Sequence, residues 1–462
     1  MVERVQPDEF VSSVQDGRSG PSTRSWTRLS DLTSVARGLP LKKIDNRCMN
    51  SSSPSFIRKL LSSVEFKLIL AWLAVVVATI LLDSGHTYWN KPGAAAELII
   101  RQTVLLGLFA LGSAVIIISG GIDLSSGSMI AMSATVFGAL LIVVDPVGFK
   151  AGHVSAIAII VATLGSILSG AMVGTLHAWL ITCVGLPPFI ATLATLVGLR
   201  SFSRGLTQAV MEGKSQIDFP DAGLRNIIKD VNYVSIVFVV LALATWFLMS
   251  RTVTGRHLHA MGGNEQAAKL SGIRTERLKW LAYVIGSVTA SIVGIVYFAD
   301  TSSAKPDTLA RGYELNAIAA SVIGGCSLQG GVGTIFGTVL GCLFLRTIID
   351  AVNKIVGTGA DVYEGMIVGI VVVLAVTFSQ RGARTERRPF FGTLIGWAAI
   401  PVLSLLAGLS FMLFFREKEW FFIRPTMWPQ FLPWFRGIYA VVFGIIVAGL
   451  LFVRGLIEVK QK

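Results

Sequence analysis

An all-α, polytopic integral membrane protein is the fold class this sequence predicts, and three observations carry it. Hydrophobic residues fill 53% of the 462 positions and charged residues only 15%, where a soluble domain carries roughly 25% charged residues. Apolar runs recur along the chain at the length of about 20 residues that a helix needs to cross a bilayer, and mean hydropathy is +0.68. Between those runs the charges gather in flanks and connections, as they do around bilayer spans. Helices satisfy their own backbone groups in lipid, and the weakly alternating segments of a membrane barrel are absent from the sequence.

Taken in order, residues 1–60 are rich in Ser and Arg, mix both charges and show no sustained period, so a loosely ordered cytoplasmic tail is expected. No apolar stretch follows Met1, which argues against a cleaved signal peptide. Spans are expected at 66–83, 97–119, 125–144, 154–182, 188–207, 231–250, 279–299, 314–328, 332–351 and 362–379. Arg58, Lys59 and Lys67 place the N-terminus inside. Alternation then puts the acidic connection 208–230 outside, with Glu212, Asp218, Asp221 and Asp230. It puts two basic connections inside: 251–280, and 379–389 with Arg381, Arg384, Arg387 and Arg388. Two further apolar runs, 391–414 and 437–454, enclose Trp420, Trp428 and Trp434, an expected interfacial belt on the outer side. Lys460 and Lys462 leave the C-terminus inside. The chain thus divides into a tail (1–60), a ten-helix transmembrane core (61–380) and a C-terminal extension with two more transmembrane helices (381–462).

The formal net charge of +13 raises nucleic acid as a partner, but the basic residues sit where they orient spans and meet anionic membrane lipid. Cys48, Cys183, Cys326 and Cys342 are scattered without a CxxC, so packing is their expected role. His257 and His259 have no Cys or acid cluster to complete a metal site. Gly213-Lys214-Ser215 lacks the earlier glycine of a phosphate loop, Gln208 standing in its place. No nucleophile–base pair stands out, and the chain is expected neither to catalyse a reaction nor to bind a cofactor.

The organising stretch is the basic connection Arg251 to Trp280. Asn264 can accept a backbone N–H bond and start a short helix, 265–271, and Gly272 is a natural stop. Ala267 and Ala268 give that helix little side-chain bulk, suited to close docking; the plainer reading is a solvated loop anchored by Arg and Lys. A second feature is the break at 118–129. Gly120 and Gly121 let the backbone turn, and Asp123 and Ser125 both fit a cap on a helix starting near Ser126. Asp123 is there either as a surface cap or beside a permeation path, since an idle carboxylate at bilayer depth is costly. A third, at 322–337, aligns with it: Gly324, Gly325, Ser327, Leu328 and Gly331 against Gly120, Gly121, Asp123, Leu124 and Gly127. The match points to an internal duplication; the alternative is glycine-mediated helix packing.

Smaller expectations complete the reading. Pro187 and Pro188 fix the start of the fifth span. Thr192 and Thr195 bond back to their own helix or face a polar cavity. His177 is packed or cavity-facing. Arg346 and Asp350, four apart, pair across one turn. Glu314 and Asn316 meet a polar solute at the mouth of a span or cap its helix.

Glu265-x-Ala267-Ala268-x-x-x-Gly272, with Gly263 and Asn264 before it, resembles the EAA loop of ABC importer permeases. The blocks SGGIDLSSGSMIAMSA, GRHLHAMGGNEQAAKLSGIRTERLKWLAY and YELNAIAASVIGGCSLQGGVGTIFGTVLGCL resemble the signatures of ribose/xylose/galactose-type ABC permeases, which share a superfamily with branched-chain amino acid permeases. The resemblance spans about 65–380. It implies a ten-helix importer-permease core in the plasma (inner) membrane that moves a monosaccharide or similar small polar solute. It also implies a second permease chain (identical or different), cytoplasmic ATPase subunits that hold ATP and Mg, and an extracytoplasmic solute-binding protein. The tail and the extra C-terminal helices depart from the family pattern. Other solutes, such as amino acids or autoinducers, are open under the same resemblance. An ion-coupled secondary transporter is the rival class; it should offer more intramembrane acids than this chain does.

Overall fold

The computed structural model describes residues 63–83, 85–218 and 230–356, with isolated helical positions at 223 and between 365 and 452. The tail, the basic stretch after the tenth span and the tryptophan-rich connection lie outside the described residues. The spans expected at 362–379, 391–414 and 437–454 are described only at scattered helical positions.

The elements run α1 (Val64–Leu82), α2 (Thr87–Asn90), α3 (Pro92–Ile118), α4 (Ser126–Val144), α5 (Pro146–Ala151), α6 (Ala156–Thr182), α7 (Pro188–Val210) and β1 (Ile217–Asp218). They continue as α8 (Val231–Arg251), α9 (Val253–Gly263), α10 (Glu265–Leu270), α11 (Thr275–Thr301), β2 (Ser303–Ala304), α12 (Tyr313–Ile323) and α13 (Ile335–Val356). Local chemistry sets many starts. Pro92 and Pro188 stand in the first turn of α3 and α7, where a missing N–H costs nothing. Side chains of Asp145, Ser155, Asp230, Thr252 and Asn264 cap α5, α6, α8, α9 and α10 by accepting a backbone N–H.

Among the described residues seven helices are long and apolar enough to cross a membrane: α1, α3, α4, α6, α8, α11 and α13. Helix α7 has the length of the expected fifth span, 23 residues, and turns Phe189, Ile190, Leu193, Val197 and Phe202 outward, while Arg200 and Arg204 make its second half more polar. The expected span at 314–328 is an eleven-residue helix, α12, about 16 Å long and too short to cross. The described fold is all-α apart from one small addition: β1 and β2 pair antiparallel, Ile217 opposite Ala304 and Asp218 opposite Ser303.

Helices α3, α4 and α11 are the buried centre, and α1, α6 and α8 turn most of their surface outward. Close approach depends on small residues. A Cβ at Gly112 of α3 would lie 2.9 Å from Gly286 Cα of α11, and one at Gly294 of α11 would lie 2.6 Å from Ile130 O of α4. Serines then bond across the contacts: Ser133 Oγ donates to Ser291 O at 2.7 Å and Ser166 Oγ to Ser133 O at 2.6 Å.

Helix α11 starts beside the 253–272 connection and ends at β2, so the 217–218 and 253–272 segments stand at opposite ends of it. The alternating span count expects that separation.

The expected Arg346–Asp350 pair is replaced. Asp350 accepts from Lys354 Nζ at 2.7 Å and from Tyr88 Oη at 2.7 Å. Arg346 instead lies over the Tyr313 ring, 5.2 Å from its centroid, with Nη1 3.5 Å from Gln102 Oε1. Lys354 offers Asp350 the same four-residue spacing, and Tyr88, 262 positions away in sequence, completes the site.

Candidate functional site

The connection after α8 folds as two short helices rather than one. Thr252 caps α9, accepting from Gly255 N at 3.1 Å. One residue separates α9 from α10, and it is Asn264, whose Oδ1 accepts from Ala267 N at 3.0 Å as expected. Gly272, at φ 81°, ends α10, with Gly272 N–H donating to Lys269 O and Ile273 N–H to Ala268 O.

One expectation about this helix fails. Ala268 does not share an outer face with Ala267; it is 4% exposed and packs into the core. Helix α10 presents Gln266, Ala267 and Leu270 outward, and Leu270 is 91% exposed. A charge cluster fixes the base of the helix. Lys279 Nζ lies 2.7 Å from Glu265 Oε1, and Lys269 Nζ lies 3.4 Å from Glu265 and 3.2 Å from Glu276. Partial burial pushes the Glu265 carboxyl up, but hydrogen bonds and charge from Lys279 and Lys269 outweigh it and hold the group below the usual glutamate range. Glu276 and then Glu265 raise the Lys269 ammonium above its usual range.

The two breaks are the same local structure. After α3, Gly120 N–H donates to Ile117 O and Gly121 N–H to Ile116 O, both at 2.9 Å; after α12, Gly325 N–H donates to Val322 O and Cys326 N–H to Ser321 O, at 3.0 and 2.9 Å. Each is a paired helix-end motif whose hinge residue has positive φ, 87° at Gly120 and 95° at Gly325. The correspondence therefore moves by one from the sequence match: Ser119, Gly120 and Gly121 answer to Gly324, Gly325 and Cys326. The shift arises because the motif is registered on the helix end, not on the glycine pair.

Asp123 and Ser125 also differ from expectation. Neither caps α4 in the ordinary way. Ser125 already has helical angles and makes no side-chain cap bond. Asp123 Oδ1 accepts from Ser125 N at 2.8 Å and from Ser125 Oγ at 2.6 Å. Asp123 is 4% exposed, so it is not a surface cap. His177 Nε2 of α6 lies 3.3 Å from Ser125 Oγ and 2.7 Å from Thr195 Oγ1 of α7. Thr192 Oγ1 and Tyr283 Oη donate to Ile122 O, each at 3.4 Å. Both threonines bond back to their own helix as well. The unwound segment 119–125 is thus braced from α6, α7 and α11. In the second break Ser327 Oγ accepts from Gln329 N at 3.2 Å.

The three motifs meet. Gly331 N–H donates to Ile118 O at 2.8 Å, tying one break to the other. Gly262, at the end of α9, lies against both. A cavity of about 290 Å³ opens beside this junction, bounded by Gly120, Gly262, Asn264, Glu265, Lys279, Tyr283 and Gln329.

Glu314 and Asn316 stand apart from the junction. Asn316 is buried within α12, and the Glu314 carboxylate fills the space left by Gly127 of α4. Arg200 was not singled out in the sequence. From α7 its Nη1 donates to Pro306 O and Leu309 O at 2.6 and 3.1 Å, and its Nε to Ser128 Oγ at 3.3 Å. An arginine within an apolar run was the available signal. Tyr283 and helix α9 were likewise missed. Among the described residues no group of three or more His, Cys, Asp or Glu is placed to hold a metal ion.

Residues 95–376 match the family described as the branched-chain amino acid transport system / permease component. The chain belongs to this family. The permease is 34% identical over 279 residues to the ribose import permease protein of Escherichia coli (strain K12), covering 60% of this chain and 82% of that relative. It is 36% identical over 294 residues to the ribose import permease protein of Bacillus subtilis (strain 168), covering 61% and 84%. It is 32% identical over 318 residues to the autoinducer 2 import system permease protein of Salmonella typhi, covering 67% and 85%. No solved structure matches the permease. The matched residues contain both breaks and helices α9 and α10, and they end before the run at 391–414.

Proposed function

We propose that this multi-pass membrane protein is the permease subunit of an ABC importer for a monosaccharide or a similar small polar solute. A second permease chain completes the path. Cytoplasmic ATPase subunits, which carry ATP and Mg, dock on α10, and an extracytoplasmic binding protein delivers solute from the other side. The α10 end of the molecule faces the cytoplasm, as do both termini, and the membrane is the plasma membrane. The carrying observation is spatial: the outward-facing helix α10 is joined through one residue to the point where both helix breaks meet. The solute class rests on the relatives named for ribose and autoinducer 2, both small polar molecules.

Nucleotide binding would draw the ATPase subunits together and displace α10, biasing the spans between outward-open and inward-open states. A switch from 1:99 to 99:1 takes about 5.5 kcal/mol of differential binding. The test is reconstitution with the co-expressed ATPase subunit and the binding protein, after a thermal-shift screen of sugars on the binding protein. Glu265→Lys combined with Gly272→Asp should leave membrane insertion intact and abolish uptake. Uptake at the normal rate by that double variant, or by a preparation without ATPase subunits, refutes the reading.

A further inference from the structure

We propose that Gly262 is the positioning residue through which displacement of α10 reaches both helix breaks at once, by direct backbone contact. The proposal rests on the importer reading and adds its transmission point. A Cβ at Gly262 would collide with Ile118 O and sit 2.6 Å from Gly331 N. Those two atoms form the hydrogen bond that ties the first break to the second, so a single methyl group at 262 would drive into that bond. The opposing surface is equally bare. A Cβ at Gly330 would lie 2.6 Å from Gly262 O and 2.7 Å from Gly120 Cα, and one at Gly331 would lie 2.6 Å from Gly263 Cα. The requirement is local to one side of the helix: a Cβ at Gly263 would meet nothing nearer than 4.0 Å.

Side chains rotate and absorb small displacements; backbone packed on backbone does not, so it passes a shift on. The lever is short, because only Asn264 separates α9 from α10 and its own N–H is bonded back to Ala260 O. Thr252 caps the far end of α9. His259, one turn before the contact, adds a side-chain tie, with Nε2 3.3 Å from Gly333 O. A push on α10 therefore arrives at Ile118–Gly120 and at Gly330–Gly331 together, and the two breaks move as a pair.

The experiment uses the full permease–ATPase complex in inside-out vesicles. Gln329→Cys, beside the junction, is labelled with a membrane-impermeant maleimide with and without ATP plus vanadate, Cys48 and Cys183 being replaced by Ser. In this parent complex the labelling rate should depend on nucleotide. Adding Gly262→Ala should keep the ATPase subunit bound and hydrolysing while the nucleotide dependence is lost. Ala260→Val, on the exposed side of the same helix, should retain it. If Gly262→Ala does not assemble, a Gly-Gly insertion between Gly263 and Asn264 decides; it leaves every junction contact in place, frees the lever and should also abolish the dependence. Full nucleotide dependence in Gly262→Ala, or in the insertion variant, overturns the proposal while leaving the importer reading standing. A parent complex with no ATPase subunit, or no nucleotide dependence, overturns the importer reading and the proposal with it.

Discussion

Leu270 is the most informative single side chain on α10, because it is apolar and almost wholly exposed on a helix whose base is fixed by paired charges. Burying a leucine stabilises by about 1.5–3 kcal/mol, and each 1.4 kcal/mol is about tenfold in affinity. Leu270→Ala should therefore weaken binding of the ATPase subunit about tenfold or more, measured by co-purification against salt and dilution, without changing insertion. Asp123 is the opposite kind of residue: buried, polar and internally satisfied. Leaving a buried hydrogen-bonding partner unsatisfied costs about 1–3 kcal/mol. Asp123→Ala should lower complex yield and uptake, and Asp123→Asn, which keeps an acceptor oxygen for Ser125, should retain more of both; equal loss in the two variants would assign the effect to charge. Asn264 and Ser126 could be read from the sequence because a cap and a helix start are decided within three or four residues. The inward turn of Ala268 could not, since six residues of helix carry no period long enough to show which side meets the core.

At the scale of the element, α10 is held by paired charges whose titration sets a pH window. The Glu265 carboxyl is held low, so its contribution is complete above the ordinary glutamate value of about 4.3 and is lost as pH falls through its depressed value. The Lys269 ammonium is held high, so its contribution is complete below about 10.4 and is lost as pH rises through its raised value. Amide hydrogen exchange over 265–272, corrected for intrinsic rate, should therefore be flat from about pH 5 to 10 and should quicken only at either edge; Lys279→Met should move the acid edge upward. The helix breaks show how far a sequence pattern reaches. Two Gly-Gly pairs announced two interruptions, and both exist. Their equivalence was misplaced by one residue because letters align on glycines, whereas hydrogen bonds align on the last turn of α3 and α12.

For the whole molecule, the class of fold was legible because lipid imposes one rule on every span, and that rule is compositional. Depth was less legible. An eleven-residue helix followed by a glycine-rich loop reads as one continuous apolar run, so α12 passed for a full crossing. Long-range pairings such as Tyr88 with Asp350 and Arg200 with the 306–309 carbonyls leave no local trace at all. At the end of α11 away from α10, the ladder of Asp218 with Ser303 and Ile217 with Ala304 clasps two connections that are far apart in sequence. Four residues of sheet have little stability of their own, so the clasp holds only while the helices on either side keep their relative height. Its fastening is in effect a latch at the end of the molecule away from α10. A disulfide between Asp218→Cys and Ser303→Cys should hold the latch shut, stop solute uptake under oxidising conditions and release it on adding dithiothreitol; uptake indifferent to oxidation would mean that this end stays still throughout the cycle.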